Sequence, residues 1–128
     1  MTDRGACGTE TILFVDDERG IRDLTVEYLT SRGYTLLSAE NGQRALEVAR
    51  THQGPIHALI TDAIMPGIDG VTLARRLSEL RPGIKVLYVS GYSGGPHVIE
   101  ELIERGEAFM QKPFVLSGLL RKLREILG

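Results

Sequence analysis

The sequence has few of the features that mark several large classes of protein. Its 128 residues include a single cysteine, Cys7, so no disulfide can form within the chain, and we expect an incidental thiol. No apolar run approaches the roughly 20 residues that cross a bilayer, and no signal peptide opens the chain. The net charge of −2 offers no basic field for nucleic acid. These absences predict a soluble, cytoplasmic domain that contacts neither membrane nor nucleic acid.

Apolar runs and amphipathic stretches alternate along the chain after a polar start. Residues 1–10 carry no periodicity, and we expect a flexible tail or linker there, followed by one folded domain over residues 11–128. Each apolar run is followed by apolar residues at helical spacing, in sets that include Leu24, Leu80 and Ile103. The predicted strands cover residues 12–15, 35–38, 57–61, 86–89 and 108–110.

This alternation predicts an α/β fold. Repeated βα units imply a parallel sheet with helices on both faces, and five units are too few for a closed barrel, which needs eight. We therefore predict a flavodoxin-like (βα)5 doubly wound parallel sheet with strand order 2-1-3-4-5. In such sheets, ligands bind at the carboxyl ends of the strands, near the switch point between strands 1 and 3.

Charged residues follow the first, third and fifth predicted strands, namely Asp16 and Asp17, then Asp62, then Lys112. Parallel strands would bring them to one edge of the sheet. Two carboxylates ~4 Å apart repel by about 4 kcal/mol at an effective dielectric near 20, and a hard divalent cation such as Mg²⁺ offsets that repulsion. The set therefore suits a divalent cation and a phosphoryl group. Taken singly, the acids could equally be solvated turn or helix-capping residues, and the lysine a surface residue.

The chain closely resembles the receiver domain of two-component response regulators, from about Thr11 to Leu127. The resemblance rests on the acidic pair, on Asp62 followed by Met-Pro-Gly at residues 65–67, on a hydroxyl residue after the fourth strand, and on Lys-Pro after the fifth. Segments 87–93 and 109–114, and the polar start, look like receivers attached to hybrid sensor histidine kinases. We expect either an excised domain of such a kinase or a stand-alone receiver.

The resemblance implies a role for each charged residue. Asp62 would be the phosphoacceptor, taking a phosphoryl group from a phosphohistidine of a sensor histidine kinase or a histidine phosphotransfer protein in a phosphorelay. Mg²⁺ would be ligated by Asp17, by Asp62 and by the backbone carbonyl of Ile64, and by Asp16 through water. Lys112 would pair with the new phosphoryl group.

The resemblance also implies a conformational switch. The hydroxyl of Ser90 would donate to a phosphoryl oxygen, and Phe109 stands at the aromatic switch position, where a phenyl ring can act only sterically. The peptide bond before Pro113 should be cis. Ile64 and Tyr92 would flank the path of the hydrolytic water, and neither is an acid or an amide able to orient it. We therefore predict slow self-dephosphorylation.

Other functions stay open on the residues alone. A hydrolase with an aspartyl-phosphate intermediate would carry Asp-x-Asp after the first strand, and a flavin-binding protein would carry a Thr, Ser or Gly phosphate loop there. A degenerate receiver used only for binding would lack some key residues, all of which are present. A receiver assists its own phosphorylation and dephosphorylation at Asp62, so we expect no separate substrate turnover and no enzyme in that sense.

Charges of both signs mark the predicted surface of helix 4, strand 5 and helix 5, through which receivers usually signal. They would permit a homodimer held by ion pairs, and an ordinary solvated face is the alternative. The charged residues are Glu100, Glu101, Glu104, Arg121, Arg124 and Glu125.

The scattered histidines make no ligand spacing, so we expect no zinc site and a phosphohistidine donor in another domain or protein.

Overall fold

The computed structural model describes residues 8–91 and 96–128, with the side chains of residues 96–99 outside that description. Strands and helices alternate along it. The strands are β1 (Thr11–Val15), β2 (Thr35–Ala39), β3 (Ala58–Asp62), β4 (Lys85–Ser90) and β5 (Ala108–Gln111). The helices are α1 (Arg19–Ser31), α2 (Gly42–Thr51), α3 (Gly70–Leu80), α4 (Pro96–Glu104) and α5 (Leu116–Leu127).

The strands form one parallel sheet in the order β2-β1-β3-β4-β5, which confirms the predicted fold and strand order. The strand bounds agree with the predicted runs to within one residue at each end. Val15 lies opposite Thr61, and Asp62 lies opposite Val89, so the carboxyl ends of three adjacent strands are level. Among the described residues, no helix combines the length and the apolar character that crossing a membrane requires.

Two apolar clusters form the core, one on each face of the sheet. Along β1 the side chains alternate, so Leu13 and Val15 belong to one cluster, while Ile12 and Phe14 belong to the other. Helices α2, α3 and α4 contribute buried residues to the first cluster, and α1 and α5 contribute to the second. This two-sided burial explains why the central strands read as nearly continuous apolar runs.

Three of the apolar residues at helical spacing are exposed on the surface of the domain. Leu24, Leu80 and Ile103 are 58%, 43% and 59% exposed, respectively. A helical apolar stripe can be wider than the face that the sheet covers. In α1 the buried positions are Thr25 and Leu29, and Leu24 lies about 100° around the helix from its neighbour.

The residues just before β1 contact the rest of the domain. The amide of Gly8 donates to the carbonyl of Arg32 at 3.2 Å, and the amide of Thr35 donates to the carbonyl of Glu10 at 3.0 Å. The carboxylate of Glu10 forms an ion pair of 2.9 Å with Arg124 of α5. Residues 1–7 of the predicted tail lie outside the described residues.

Candidate functional site

The ammonium of Lys112 joins two of the acids at the carboxyl edge of the sheet. Its Nζ lies 2.8 Å from Oδ2 of Asp16 and 3.0 Å from Oδ2 of Asp62. The side chains of Asp16, Asp62 and Lys112 are 2%, 13% and 15% exposed. Because charges shielded from water are stable only when paired, each group depends on the others.

The surroundings of Lys112 keep it protonated. Burial lowers the pKa of this ammonium, whereas its hydrogen bonds to Asp16 and Asp62 raise it, and the balance lies above the ordinary value of 10.5. Lys112 is therefore a permanent cation at neutral pH. It can neutralise part of the negative charge that gathers at this edge.

Asp16 is held at every polar atom. Its amide donates to the carbonyl of Ala39 at 3.2 Å, its Oδ1 accepts from the amide of Glu18 at 2.9 Å, and its carbonyl accepts from Nη1 of Arg22 at 2.7 Å. The remaining oxygen binds the lysine ammonium. Glu18 precedes α1 as its N-cap residue, but its side chain makes no capping hydrogen bond. Asp17, between them, is exposed.

Asp62 is the last residue of β3, and the loop that follows orients it. Its Oδ1 accepts a hydrogen bond of 3.0 Å from the amide of Ile64, while its Oδ2 faces Lys112. The start of α3 packs directly on this loop at Gly70, where a Cβ atom would overlap the carbonyl oxygen of Asp62 and lie 2.8 Å from Cα of Ala63. The loop and the helix therefore fix the carboxylate together.

The donor atoms at this edge suit Mg²⁺. In the described part of the chain, no three acidic, histidine or cysteine side chains lie together as a ready-made metal cage. Mg²⁺ does not need one, because it usually binds one or two carboxylates and completes its octahedral shell with water and phosphate oxygens. The carboxylates of Asp17 and Asp62 and the carbonyl of Ile64 supply oxygens of the required kind.

The predicted switch residues lie on β4 and β5. Ser90 ends β4, is buried, and accepts a hydrogen bond of 2.9 Å at its carbonyl from the amide of Lys112. Phe109 of β5 is half-buried, lies opposite Tyr88, and packs against the same core cluster as that tyrosine. Side chains alternate along a strand, so Ser90 and Tyr88 share a face of the sheet. The Lys112–Pro113 peptide is cis.

A cavity of about 430 Å³ opens beside the lysine, between α1 and the segment after β5. Its lining is mostly apolar and includes Ile21 and Leu24 from one side and Phe114 and Leu116 from the other. The exposed Leu24 therefore belongs to the rim of the site. Tyr92, the second residue predicted to flank the hydrolytic water, lies outside the described residues.

Sequence reasoning missed two residues that shape this site. Arg22 binds a backbone carbonyl, and no side-chain pattern in the sequence reports a backbone partner. Gly70 lies against the backbone of the Asp62 loop. Its one local signal is its place directly after Asp69, the N-cap residue whose side chain accepts from the amide of Thr72 at 2.8 Å.

Comparison with known proteins assigns the family. The model of the response regulator receiver domain matches residues 12–124, so the chain belongs to that family. Receiver domains are the phosphoacceptor modules of two-component phosphorelay signalling, as the resemblance implied. The chain is also 37% identical, over 120 residues, to the sensor kinase CckA of Brucella abortus (strain 2308), which confirms the likeness to receivers of hybrid kinases.

The relatives differ in how much of their length this chain matches. The match with the sensor kinase covers 94% of this chain and 13% of the kinase. The response regulator receiver protein CpdR of the same organism is 31% identical over 116 residues, covering 91% of this chain and 95% of that protein. The crystal structure of the receiver domain from the hybrid histidine kinase CckA has a TM-score of 0.76 and 33% identity, covering 92% of this chain and 99% of that one.

Proposed function

We propose that this domain accepts a phosphoryl group from a phosphohistidine onto the carboxylate of Asp62, with Mg²⁺, and that the new phosphate changes its surface for a downstream partner. The observation that carries the proposal is the setting of Asp62, whose two oxygens face the ammonium of Lys112 and the amide of Ile64. At 13% exposed, the carboxylate is fixed by its neighbours but still reachable from outside.

The step replaces one bond to phosphorus with another. An oxygen of Asp62 attacks the phosphorus of the donor, the P–N bond to the imidazole breaks, and its electron pair stays on that nitrogen. Such transfers depend mainly on positioning and on stabilising charge. When bound at Asp17, Asp62 and the carbonyl of Ile64, Mg²⁺ would neutralise charge on the phosphoryl oxygens.

Lys112 is suited to follow the phosphoryl group. A lysine ammonium is a compact charge on a flexible stem, with three donors that can be redistributed among acceptors. It can keep its 2.8 Å contact with Asp16 while one donor passes from the Asp62 carboxylate to a phosphoryl oxygen. The lysine thereby responds to the arrival of the phosphate and carries part of its charge.

The signal would leave the site through β4 and β5. The hydroxyl of Ser90 donates to a phosphoryl oxygen, and the shift of the end of β4 frees space for the ring of Phe109, which lies on β5 opposite Tyr88. A phenyl ring cannot form the hydrogen bond that a tyrosine would, so this switch works by packing. Its movement changes the surface of α4, β5 and α5.

The donor would be a cytoplasmic sensor histidine kinase or a histidine phosphotransfer protein. The apolar cavity beside Lys112 supplies a surface next to the phosphoacceptor on which such a partner can pack. A homodimer through α4, β5 and α5 is a further arrangement. In it, Arg124 would contribute less than the charge pattern predicts, because this residue already pairs with Glu10. The domain turns over no separate substrate.

Phosphorylation by a small-molecule donor tests the proposal. We expect acetyl phosphate with Mg²⁺ to add one phosphoryl group to the wild type, seen by intact-protein mass spectrometry, and Asp62→Asn to abolish the addition. The matched control is Asp69→Asn on the same connection, because asparagine also caps a helix and this position should not matter. Beryllofluoride should shift NMR signals of the wild type but not of Asp62→Asn. An unmodified wild type, or a modified Asp62→Asn, would refute the proposal.

A further inference from the structure

We infer that Arg22 is a positioning residue for the acidic turn: its guanidinium fixes the peptide between Asp16 and Asp17 and so holds the carboxylate of Asp17 in place for Mg²⁺. This inference rests on the proposed function, in which Asp17 is a metal ligand. Arg22 itself would contact neither the metal nor the phosphoryl group.

The contact reaches backward from the helix to the turn before it. Arg22 is the fourth residue of α1 and is partly buried. Its Nη1 donates a hydrogen bond of 2.7 Å to the carbonyl of Asp16. Hydrogen bonds from a charged donor are shorter and stronger than neutral ones. The carbonyl of Asp16 and the amide of Asp17 belong to one planar unit, so fixing the oxygen fixes the plane.

The other hydrogen bonds of Asp16 do not fix the peptide plane between Asp16 and Asp17, so the orientation of that plane depends on Arg22. The amide of Asp16 is bound to Ala39, and its carboxylate is bound to Glu18 and Lys112, which together hold the residue on its other sides. Asp17 is exposed, so the direction of its side chain follows from the backbone that carries it. Ligands held in advance bind a metal more tightly, because less motion is lost on binding.

A purely electrostatic effect of Arg22 and a positioning role predict opposite changes in Mg²⁺ affinity when Arg22 is replaced. A guanidinium near a cation site repels the cation, so its loss should strengthen Mg²⁺ binding if only charge matters. If Arg22 positions the turn, its loss should weaken binding. Arg19 offers a matched control on the same helix, because it is 85% exposed and pairs with Asp23 instead.

The test is a titration of each variant with MgCl₂, followed by amide NMR shifts. We expect Arg22→Met to raise the Kd for Mg²⁺ about 10-fold, as the loss of residues that support metal ligands does. Arg22→Lys keeps a donor and the charge and should raise it only about threefold. Arg19→Met removes the same charge from the same helix and should not raise it. Urea unfolding of each variant verifies that it folds.

The outcomes separate this inference from the proposed function. If Arg22→Met binds Mg²⁺ as tightly as the wild type or more tightly, the inference is wrong while phosphorylation of Asp62 stands. If the wild type binds no Mg²⁺, the inference and the metal part of the proposed function both fall. Should Arg22→Met fail to fold, Arg22→Lys decides: weakened binding supports the positioning role, and unchanged or tighter binding refutes it.

Discussion

Lys112 and Asp16 form an ion pair of 2.8 Å in which the carboxylate is only 2% exposed. We expect Lys112→Met to lower the free energy of unfolding by about 2–4 kcal/mol, because it leaves the buried acid beside Asp62 without its cation. Urea unfolding measures the change, and Mg²⁺ should restore part of it. Lys85→Met removes an exposed lysine from β4 and should change stability little. Equal loss in both variants would contradict the role of the pair.

Replacing glycine with alanine should have opposite effects on stability at Gly70 and at Gly20. Gly70→Ala places a methyl group against the backbone of Asp62 and Ala63, so we expect a loss of about 1–3 kcal/mol in stability and slower phosphorylation by acetyl phosphate. Gly20 lies within α1, and a methyl group there meets nothing within 4 Å. Gly20→Ala should therefore stabilise the domain by about 0.5–1 kcal/mol. A stable, fully active Gly70→Ala variant would show that the loop adapts.

The pair formed by Glu10 and Arg124 makes part of the stability depend on pH. Hydrogen bonds from Arg124 lower the pKa of Glu10 from 4.5 to about 2, despite the opposing effect of burial. A carboxyl group with a lowered pKa in the folded state stabilises fully above its unfolded value of 4.5, and this contribution is lost as the pH falls from 4.5 towards 2.

Comparison with Glu10→Gln isolates this contribution. At neutral pH we expect the wild type to be more stable by about 1–2 kcal/mol, a value reduced for the partial exposure of the pair. The difference should shrink towards zero as the pH approaches 2, as measured by urea unfolding at several pH values. Glu47→Gln, which breaks an exposed pair with Arg44, is the control and should show little effect. A difference that does not change with pH would rule out the titration of Glu10 as its cause.

Ile64 should slow the loss of the phosphoryl group. Its amide binds Asp62, but its aliphatic side chain cannot orient water towards the phosphorus. We expect Ile64→Gln to shorten the phosphoryl half-life roughly tenfold, since one well-placed hydrogen bond of about 1.5 kcal/mol gives that factor. The decay of the phosphorylated species by mass spectrometry measures it, with Ile64→Leu as the control. A wild-type lifetime of seconds at neutral pH would contradict slow self-dephosphorylation.

Much of the fold was predictable because the core has a simple pattern. The apolar runs predicted the strands, and the doubly wound order followed from five βα units. Exposure within helices was less predictable, as Leu24 shows, because spacing locates a stripe but not the width of the face that the sheet covers.

The site was predictable where side chains follow strands and unpredictable where backbone atoms or distant pairs are involved. The placement of Asp16, Asp62 and Lys112 follows from parallel strands that end at one edge. Residue types alone do not reveal that Arg22 contacts a backbone carbonyl. Glu10 and Arg124 are 114 positions apart, and no local pattern connects them.

The four bonds of Asp16 have a consequence for how the site can change state. If Lys112 moves towards a phosphoryl group, Asp16 still holds its bonds to Ala39, Glu18 and Arg22. The acidic turn can therefore stay folded while the lysine moves. The residue that must remain rigid and the residue that must respond share a single contact, so even a complete departure of the lysine would open only one carboxylate oxygen of Asp16 to water.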